Sequence, residues 1–139
     1  MEMQKFTQQV QETIGEAQKL AVSLEHQAID VLHVFQVLLQ ESDFAKRVYE
    51  VAEVDINLVK PNIEAALEKI PAVMGTNVKY GESMTNELYQ LMIRAETEEK
   101  ELEDEFISTE HLLLAVMEQR ENAVTQSIMA QGKKQKKTS

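Results

Sequence analysis

Residues 6–40 read FTQQVQETIGEAQKLAVSLEHQAIDVLHVFQVLLQ, and residues 84–118 read MTNELYQLMIRAETEEKELEDEFISTEHLLLAVME. The two segments align without a gap at an offset of 78 positions, and identical residues coincide at Thr7 and Thr85, Ala17 and Ala95, Leu24 and Leu102, Ile29 and Ile107, and His33 and His111. A repeat of this length indicates one supersecondary unit that was duplicated and that packs against its copy. The sequence therefore predicts an all-α, pseudo-two-fold duplicated helical bundle.

The composition of the whole chain favours long helices in one domain. The 139 residues include only four glycines and two prolines, and few such residues leave helices uninterrupted. This length is sufficient for one hydrophobic core. The chain has no cysteine, which excludes a disulfide framework, thiolate metal ligands and a cysteine nucleophile. No run of apolar residues is long enough for a membrane span or a signal peptide, so we expect a cytoplasmic protein.

The order of segments along the chain follows from the repeat. We predict a single domain over residues 1–139. It consists of a first repeat (5–70), a connector (71–83), a second repeat (84–132) and a basic tail (133–139). Pro71, Gly75 and Gly81 interrupt the helical pattern in the connector. Four helices in the first repeat and three in the second are expected, seven to eight in total. The tail, KKQKKTS, is expected to be a disordered or linker segment.

The helix starts are marked by side chains that accept hydrogen bonds from free backbone amides. These predicted caps are Thr7, Asp30, Ser42 and Ser108. The fourth helix is expected to open at Asp55 or Asn57, with Pro61 in its first turn, where a missing amide costs little. The second helix of the first repeat, DVLHVFQVLLQ, has little polar surface, which predicts that it is central and buried. Its counterpart in the second repeat, TEHLLLAVMEQ, is apolar almost all round.

His33 and His111 occupy equivalent positions, each three residues after a predicted cap. A paired metal or acid–base site is one interpretation, and a structural role, in which each imidazole bonds local backbone, is the other. His26 aligns with Asp104, so no third ligand is repeated, and neither a cysteine nor an HExxH spacing is present. The structural interpretation is favoured, and no metal ligand or catalytic residue is assigned.

The charge of the chain excludes some partners. The formal net charge is −10, although the last seven residues hold four lysines and no acid. Such an acidic body repels nucleic acid and anionic membranes, so neither is an expected partner. Seven acids fall within residues 96–105, and they predict either a solvated acidic face or a surface for a basic partner. A G-x-x-x-x-G-K-[ST] phosphate loop is absent from the sequence, so binding rather than nucleotide hydrolysis is expected.

The duplicated pattern resembles the N-terminal repeat domain of the Clp ATPases over about residues 5–132. The segments that carry the resemblance are F-T-x-x-V-x-x-x-I-x-x-A-Q, IDVLHVFQVLL and STEHLLLAVM. Within that family the chain is most similar to the ClpB disaggregases, through FISTEHLLLAV and IEAALEKIPAVMG. The resemblance implies a non-catalytic, monomeric domain without a cofactor, which docks unfolded or aggregated polypeptides or an adaptor. ATP and magnesium would then act in hexameric ATPase rings outside this chain.

The resemblance also implies particular site residues. Thr7, Asp104 and Glu110 match positions that the ClpB family uses for binding, although Thr7 is equally explained as a helix cap. Arg94 and Glu98 stand where the family has groove-lining leucines. The apolar residues near those two positions are Leu91, Met92 and Leu102, and we expect them to contribute to a partner-binding groove.

Two alternative functions remain open. An adaptor-binding domain of a ClpC-type unfoldase is the first, and a stand-alone helical regulator or an unrecognised hydrolase is the second. ClpC relatives bind phosphoarginine through one glutamate per repeat, and here Glu110 matches the second position while Leu32 occupies the first. This difference argues against a two-site phosphoarginine reader. Function is expected where the copies differ, above all at Glu110 and Asp104.

Overall fold

The computed structural model describes residues 2–119 and 122–138, with side chains to residue 130. The helices in these residues are α1 (Gln8–Ser23), α2 (Val31–Glu41), α3 (Asp43–Val51), α4 (Ile56–Glu68), α5 (Asn86–Glu101), α6 (Thr109–Glu118) and α7 (Ala123–Thr138). A single 3₁₀ turn, Met3–Lys5, precedes α1. The prediction of an all-α bundle with four helices before the connector and three after it is therefore confirmed. Within the same residues, no helix is both long and apolar enough to cross a bilayer.

Short parallel strand pairings join the two copies, a feature that the sequence did not predict. Strand β1 (Ala28–Ile29) pairs with β2 (Ser83–Met84), and Ile29 lies opposite Met84. An isolated bridge joins Phe6 to Ile107, which are the repeat equivalents of Met84 and Ile29. Each copy therefore begins its first helix beside the residues that precede the second helix of the other copy. This crossed arrangement produces the pseudo-two-fold symmetry.

The predicted helix caps are observed. Thr7 Oγ1 accepts a hydrogen bond from the amide of Val10 at 3.3 Å, and the equivalent Thr85 accepts one from Leu88 at 3.2 Å. Ser42 Oγ caps α3 through the amide of Ala45 at 3.1 Å. Side-chain oxygens thus satisfy amides that have no partner inside a helix. Asp55, rather than Asn57, caps α4.

Two local predictions were wrong. Because α4 begins directly after Asp55, Pro61 lies in its second turn and not in its first. A proline there removes the amide that would bond the carbonyl of Asn57, and both residues are exposed, so water can replace that bond. The second error concerns residues 133–138, which continue α7 and do not form a separate irregular segment. Lysine and glutamine are good helix formers, which accounts for this extension.

The core is built around α2, which is buried along most of its length. Helices α1 and α4 pack on α2, while α6 packs on α5, and α4 also lies against α7. The prediction that α2 is central is confirmed. Two residues expected to line a surface groove, Leu91 and Met92, are core residues of α5 with exposed fractions of 0% and 2%.

Candidate functional site

His33 and His111 form the same hydrogen bonds at the start of the second helix in each copy. Nδ1 of His33 accepts the amide of Asp30 at 2.9 Å, and Nδ1 of His111 accepts the amide of Ser108 at 2.8 Å. Each ring thereby completes a capping box, in which a side chain at the third helical position bonds the cap backbone. The structural interpretation of these histidines is confirmed.

The second ring nitrogen distinguishes the two copies. Nε2 of His33 lies 2.8 Å from Nδ1 of His26, whereas Nε2 of His111 lies 2.8 Å from Oδ2 of Asp104. Because Nδ1 is already an acceptor, we assign the proton of each neutral ring to Nε2. Burial, together with the neighbouring His26, lowers the pKa of His33 to about 4, so His33 is uncharged at neutral pH.

This contact gives Asp104 a defined position at the surface. The carboxylate is exposed, while the His111 ring that it accepts from is buried. The sequence alignment places His26 opposite Asp104 but did not predict that either residue contacts a histidine of the cap. Their equal spacing from the two histidines was the signal that each contacts a ring.

The structure places Thr7, Asp104 and Glu110 around one segment. The amide of Thr7 donates to the carbonyl of Ile107 at 2.9 Å, which ties the start of α1 to the loop between α5 and α6. Asp104 lies in that loop, and Glu110 is exposed in the first turn of α6. An acid there is also favourable for the helix dipole.

The remaining predicted residues divide between core and surface. Leu91 is fully buried and is not available to a partner in this conformation, while Met92 reaches the base of a shallow surface depression beside Met3 and Tyr89. Leu102 is 49% exposed. Arg94 is exposed and Glu98 is half-buried on α5, so charged side chains occupy this face of the helix. Leu91, Met92 and Leu102 thus differ in exposure, and a partner-binding groove formed by these residues stays a prediction.

An apolar groove lies between α3 and α6. Phe44 and Val48 line it from α3, and Leu114 and Met117 line it from α6. These four side chains are between 36% and 46% exposed, although large apolar side chains normally gain from burial. The groove, which we call the α3–α6 groove, has a volume of about 380 Å³, and Glu110 stands among its lining residues.

Acidic side chains flank this groove at Phe44. A neighbouring depression, which also includes Phe44, is lined by Glu12, Glu16, Glu41 and Asp43. This acidic rim comes from the first copy, whereas the acidic run noticed in the sequence lies at residues 96–105. That run is not uniformly solvated, because Glu99 is 1% exposed and pairs with Lys5 at 2.9 Å.

The comparison with known families agrees with this fold. A sequence model of the Clp repeat (R) N-terminal domain family matches residues 5–131. The chain belongs to this family. It is 38% identical over 132 residues to the chaperone protein ClpB of Enterococcus faecalis. The aligned residues are 95% of this chain. The Clp N-terminal domain described here spans only 15% of the length of that relative.

Solved structures show the same fold at lower identity. The Hsp104 N-terminal domain from Candida albicans has a TM-score of 0.74 and 18% identity. That match covers 91% of this chain and 81% of the Hsp104 chain. The N-domain of ClpV from Vibrio cholerae has a TM-score of 0.71 and 19% identity. That match covers 83% of this chain and 68% of the ClpV chain. The resemblance to the Clp N-terminal repeat is therefore confirmed, with ClpB as the subfamily represented among the most similar sequences.

Proposed function

We propose that this Clp N-terminal domain is a non-catalytic docking domain of a ClpB-type disaggregase. It holds unfolded or aggregated polypeptide, or an adaptor, for hexameric ATPase rings that lie outside this chain. The observation that carries the proposal is the α3–α6 groove, where four large apolar side chains remain exposed beside Glu110. Exposed apolar patches that are rimmed by polar residues mark binding surfaces.

The chemistry of the groove favours apolar segments with positive charge. Burying the exposed parts of Phe44, Val48, Leu114 and Met117 supplies the attraction, at roughly 25 cal/mol per Å² of apolar area. Glu110 and the acidic rim favour lysine and arginine near the apolar residues, and they act more on specificity and association rate than on affinity. A groove of this size predicts weak, reversible binding, as a domain that must release its substrate requires.

The three predicted polar residues have different roles in this proposal. Glu110 lines the groove and contacts the partner directly. Asp104, which is fixed by His111, presents an exposed carboxylate on the loop before α6. Thr7 holds the start of α1 against Ile107 and acts as a positioning residue. Leu102 is half-exposed at the end of α5 and is proposed as a further apolar contact for the partner. Leu91 and Met92 are buried and are proposed to support the site from the core.

Binding of an unfolded protein tests the proposal. Reduced, carbamidomethylated lysozyme, which is unfolded and basic, is labelled with a fluorophore and titrated with the protein, and anisotropy is recorded. Leu114→Glu is expected to weaken binding about tenfold, because it places a charge in the apolar groove. Glu110→Gln is expected to weaken binding less and to reduce the salt dependence.

Leu58→Glu is the matched control, because Leu58 is 51% exposed on α4 and does not line the groove. It is expected to bind as the wild type does. Equal losses for Leu58→Glu and Leu114→Glu, or no loss for Leu114→Glu, would contradict the assignment of this groove. A domain that binds only adaptors would show no binding of unfolded lysozyme and would instead retain one defined protein in a pull-down.

A further inference from the structure

We propose that a pocket in the first copy, between α1, α2 and α4, binds the side chain of an arginine residue in a partner polypeptide. We call it the α2–α4 pocket. Its volume is about 520 Å³, which lies within the range of about 300–1,000 Å³ that ligand pockets have. The α2–α4 pocket shares no lining residue with the α3–α6 groove, so this inference adds a second site to the proposed docking function.

One side of the pocket is apolar. Leu20 and Leu24 line it at the end of α1, Leu67 lines it from α4, and Pro71 lines it from the start of the connector. Leu24 is 38% exposed, so part of this surface is open to a partner. Long cationic side chains bury their methylene groups along apolar surface of this kind while the charged end stays among polar groups.

The wall at the connector is fixed before any ligand binds. The amide of Val73 donates to the carbonyl of Glu25 at 3.0 Å, and the hydroxyl of Tyr80 donates to the carbonyl of Val73 at 2.6 Å. These bonds hold the segment after Pro71 against the turn between α1 and α2. A preformed wall lowers the entropic cost of binding.

The other side of the pocket is acidic. Glu64 and Glu68 line it from α4, are one helical turn apart, and are both exposed. No lysine or arginine is found among the described residues that line the pocket. His26, which also lines it, is neutral in the assigned hydrogen-bond arrangement, because its Nδ1 accepts from Nε2 of His33. The two carboxylates therefore favour a cationic ligand.

Gln36 gives a second, independent sign of a ligand. It lines the pocket, is 5% exposed, and donates from Nε2 to Oε1 of Glu64 at 3.0 Å. Because an ionised carboxylate only accepts, the amide nitrogen of Gln36 must face Glu64. The amide oxygen, Oε1, is then left without a hydrogen-bond partner among the described residues. A buried acceptor without a donor is unfavourable, and an N–H group that enters beside Gln36 would supply one.

Arginine suits this combination better than lysine does. A guanidinium carries several N–H donors in one plane, so it can donate to Glu64 and to Gln36 at the same time. It is also less strongly hydrated than an ammonium group, which lowers the cost of placing it beside Leu24 and Pro71. Glu68 would accept from the outer edge of the same group.

Nuclear magnetic resonance titration of the whole protein tests the assignment. The ligands are blocked tripeptides, acetyl-Gly-X-Gly-amide, in which X is arginine, citrulline or lysine. Citrulline matches the shape of arginine but is uncharged, and lysine keeps the charge without the planar group. The methyl signals of Leu20, Leu24 and Leu67 and the ring signals of His26 report on the pocket, since all four residues line it.

We expect the arginine peptide to shift these signals and to bind at least about threefold more tightly than either of the other two peptides. Glu64→Gln removes the charge, Gln36→Met removes the free acceptor, and each should weaken binding of the arginine peptide about three- to fivefold. Glu50→Gln is the matched control, because it removes the same charge from an exposed position on α3 that lines neither the pocket nor the groove. It should bind as the wild type does.

The spectrum of each variant alone verifies its fold, and the exposed Glu64→Gln decides the matter if the buried Gln36→Met does not fold. Equal affinities for the arginine and citrulline peptides would overturn the cationic site, and equal affinities for arginine and lysine would overturn the choice of arginine. Equal losses in Glu64→Gln and Glu50→Gln, or shifts confined to the α3–α6 groove, would also overturn the inference. Leu114→Glu should leave peptide binding unchanged, so a failure at this pocket does not affect the docking function of the groove.

Discussion

His33 occupies the third position of α2, where a capping box usually has glutamate or glutamine. Only the neutral ring can accept the amide of Asp30 at Nδ1, so protonation removes this hydrogen bond. The spacing from Asp30 to His33 was sufficient to predict that bond. It was not sufficient to predict His26 as the partner of Nε2, because that contact depends on how the turn after α1 folds.

This geometry predicts how stability depends on pH. The pKa of His33 is about 4 in the folded protein, below its ordinary value of 6.5, so the unfolded chain binds this proton more tightly. The contribution of His33 is fully present above pH 6.5 and is lost as the pH falls toward 4. Between pH 7 and pH 5 the free energy of unfolding should fall by about 2 kcal/mol through this group.

Urea unfolding of His33→Gln at both pH values isolates the effect. Glutamine retains an acceptor for the cap amide but does not titrate, so the variant should lose about 2 kcal/mol less than the wild type between pH 7 and pH 5. Identical losses in the two proteins would show that His33 is not the titrating group.

The buried carboxylate of Glu99 leads to a second prediction at this scale. Lys5 is its ion-pair partner, and the hydrogen bond to Glu99, together with its negative charge, raises the pKa of Lys5. Lys5→Met leaves a buried charge unpaired and should lower the urea midpoint of unfolding. Lys19→Met, which breaks an exposed pair with Glu16, is the control and should change the midpoint little. Equal shifts of the urea midpoint in Lys5→Met and Lys19→Met would show that burial of Glu99 does not strengthen its ion pair.

The sequence did not reveal the pair of Lys5 and Glu99, because the two residues lie in different copies.

At the scale of elements, two glycines predict opposite effects of the same substitution. Gly81 has a φ of +65°, and a Cβ atom there would lie 3.1 Å from the carbonyl oxygen of Gln18. Gly81→Ala should therefore destabilise the protein by about 2 kcal/mol. Gly15 lies within α1, and a Cβ atom there meets nothing within 4 Å. Gly15→Ala should stabilise the protein by about 0.5–1 kcal/mol. Thermal unfolding of both variants measures this contrast, because Tm should fall for Gly81→Ala and rise for Gly15→Ala. Tm shifts of the same sign in the two variants would contradict it.

The caps of α1 and α5 permit a further comparison between the copies. Each of Thr7 and Thr85 caps its helix, but Thr85 Oγ1 also donates to Oδ1 of Asp30 at 2.6 Å. Thr7→Ala should cost about 1 kcal/mol, and Thr85→Ala should cost more, because a charged acceptor loses its partner. Urea unfolding compares the two variants. A larger cost at Thr7 would indicate a role beyond capping.

The sequence predicted the helices better than the surfaces between them. Cap residues and apolar spacing determine where a helix begins and which face is buried, and these signals are local. The α3–α6 groove was not predicted, because Phe44 and Leu114 belong to different copies and meet only when the copies pack. Apolar residues surround most of α6, so their spacing does not distinguish the buried Leu112 from the exposed Leu114 and Met117.

At the scale of the whole molecule, the crossed pairings make the copies interdependent. Phe6 pairs with Ile107 and Ile29 pairs with Met84, so neither copy retains its pairing partners alone. Cleavage at a protease site inserted at Gly75, in the exposed connector, should leave both halves associated during size-exclusion chromatography. Each half expressed separately should show much less helix by circular dichroism. Separation of the cleaved halves under native conditions would contradict this account.

The α3–α6 groove as the docking surface is tested most directly by nuclear magnetic resonance. The protein, labelled with ¹⁵N and with ¹³C at its methyl groups, is titrated with reduced, carbamidomethylated lysozyme, which is unfolded and basic. We predict that the largest shifts occur at the methyl groups of Val48, Leu114 and Met117 and at the amide of Glu110. Shifts confined to the depression at Met3 and Tyr89, or no shifts at an excess of unfolded lysozyme, would contradict the account.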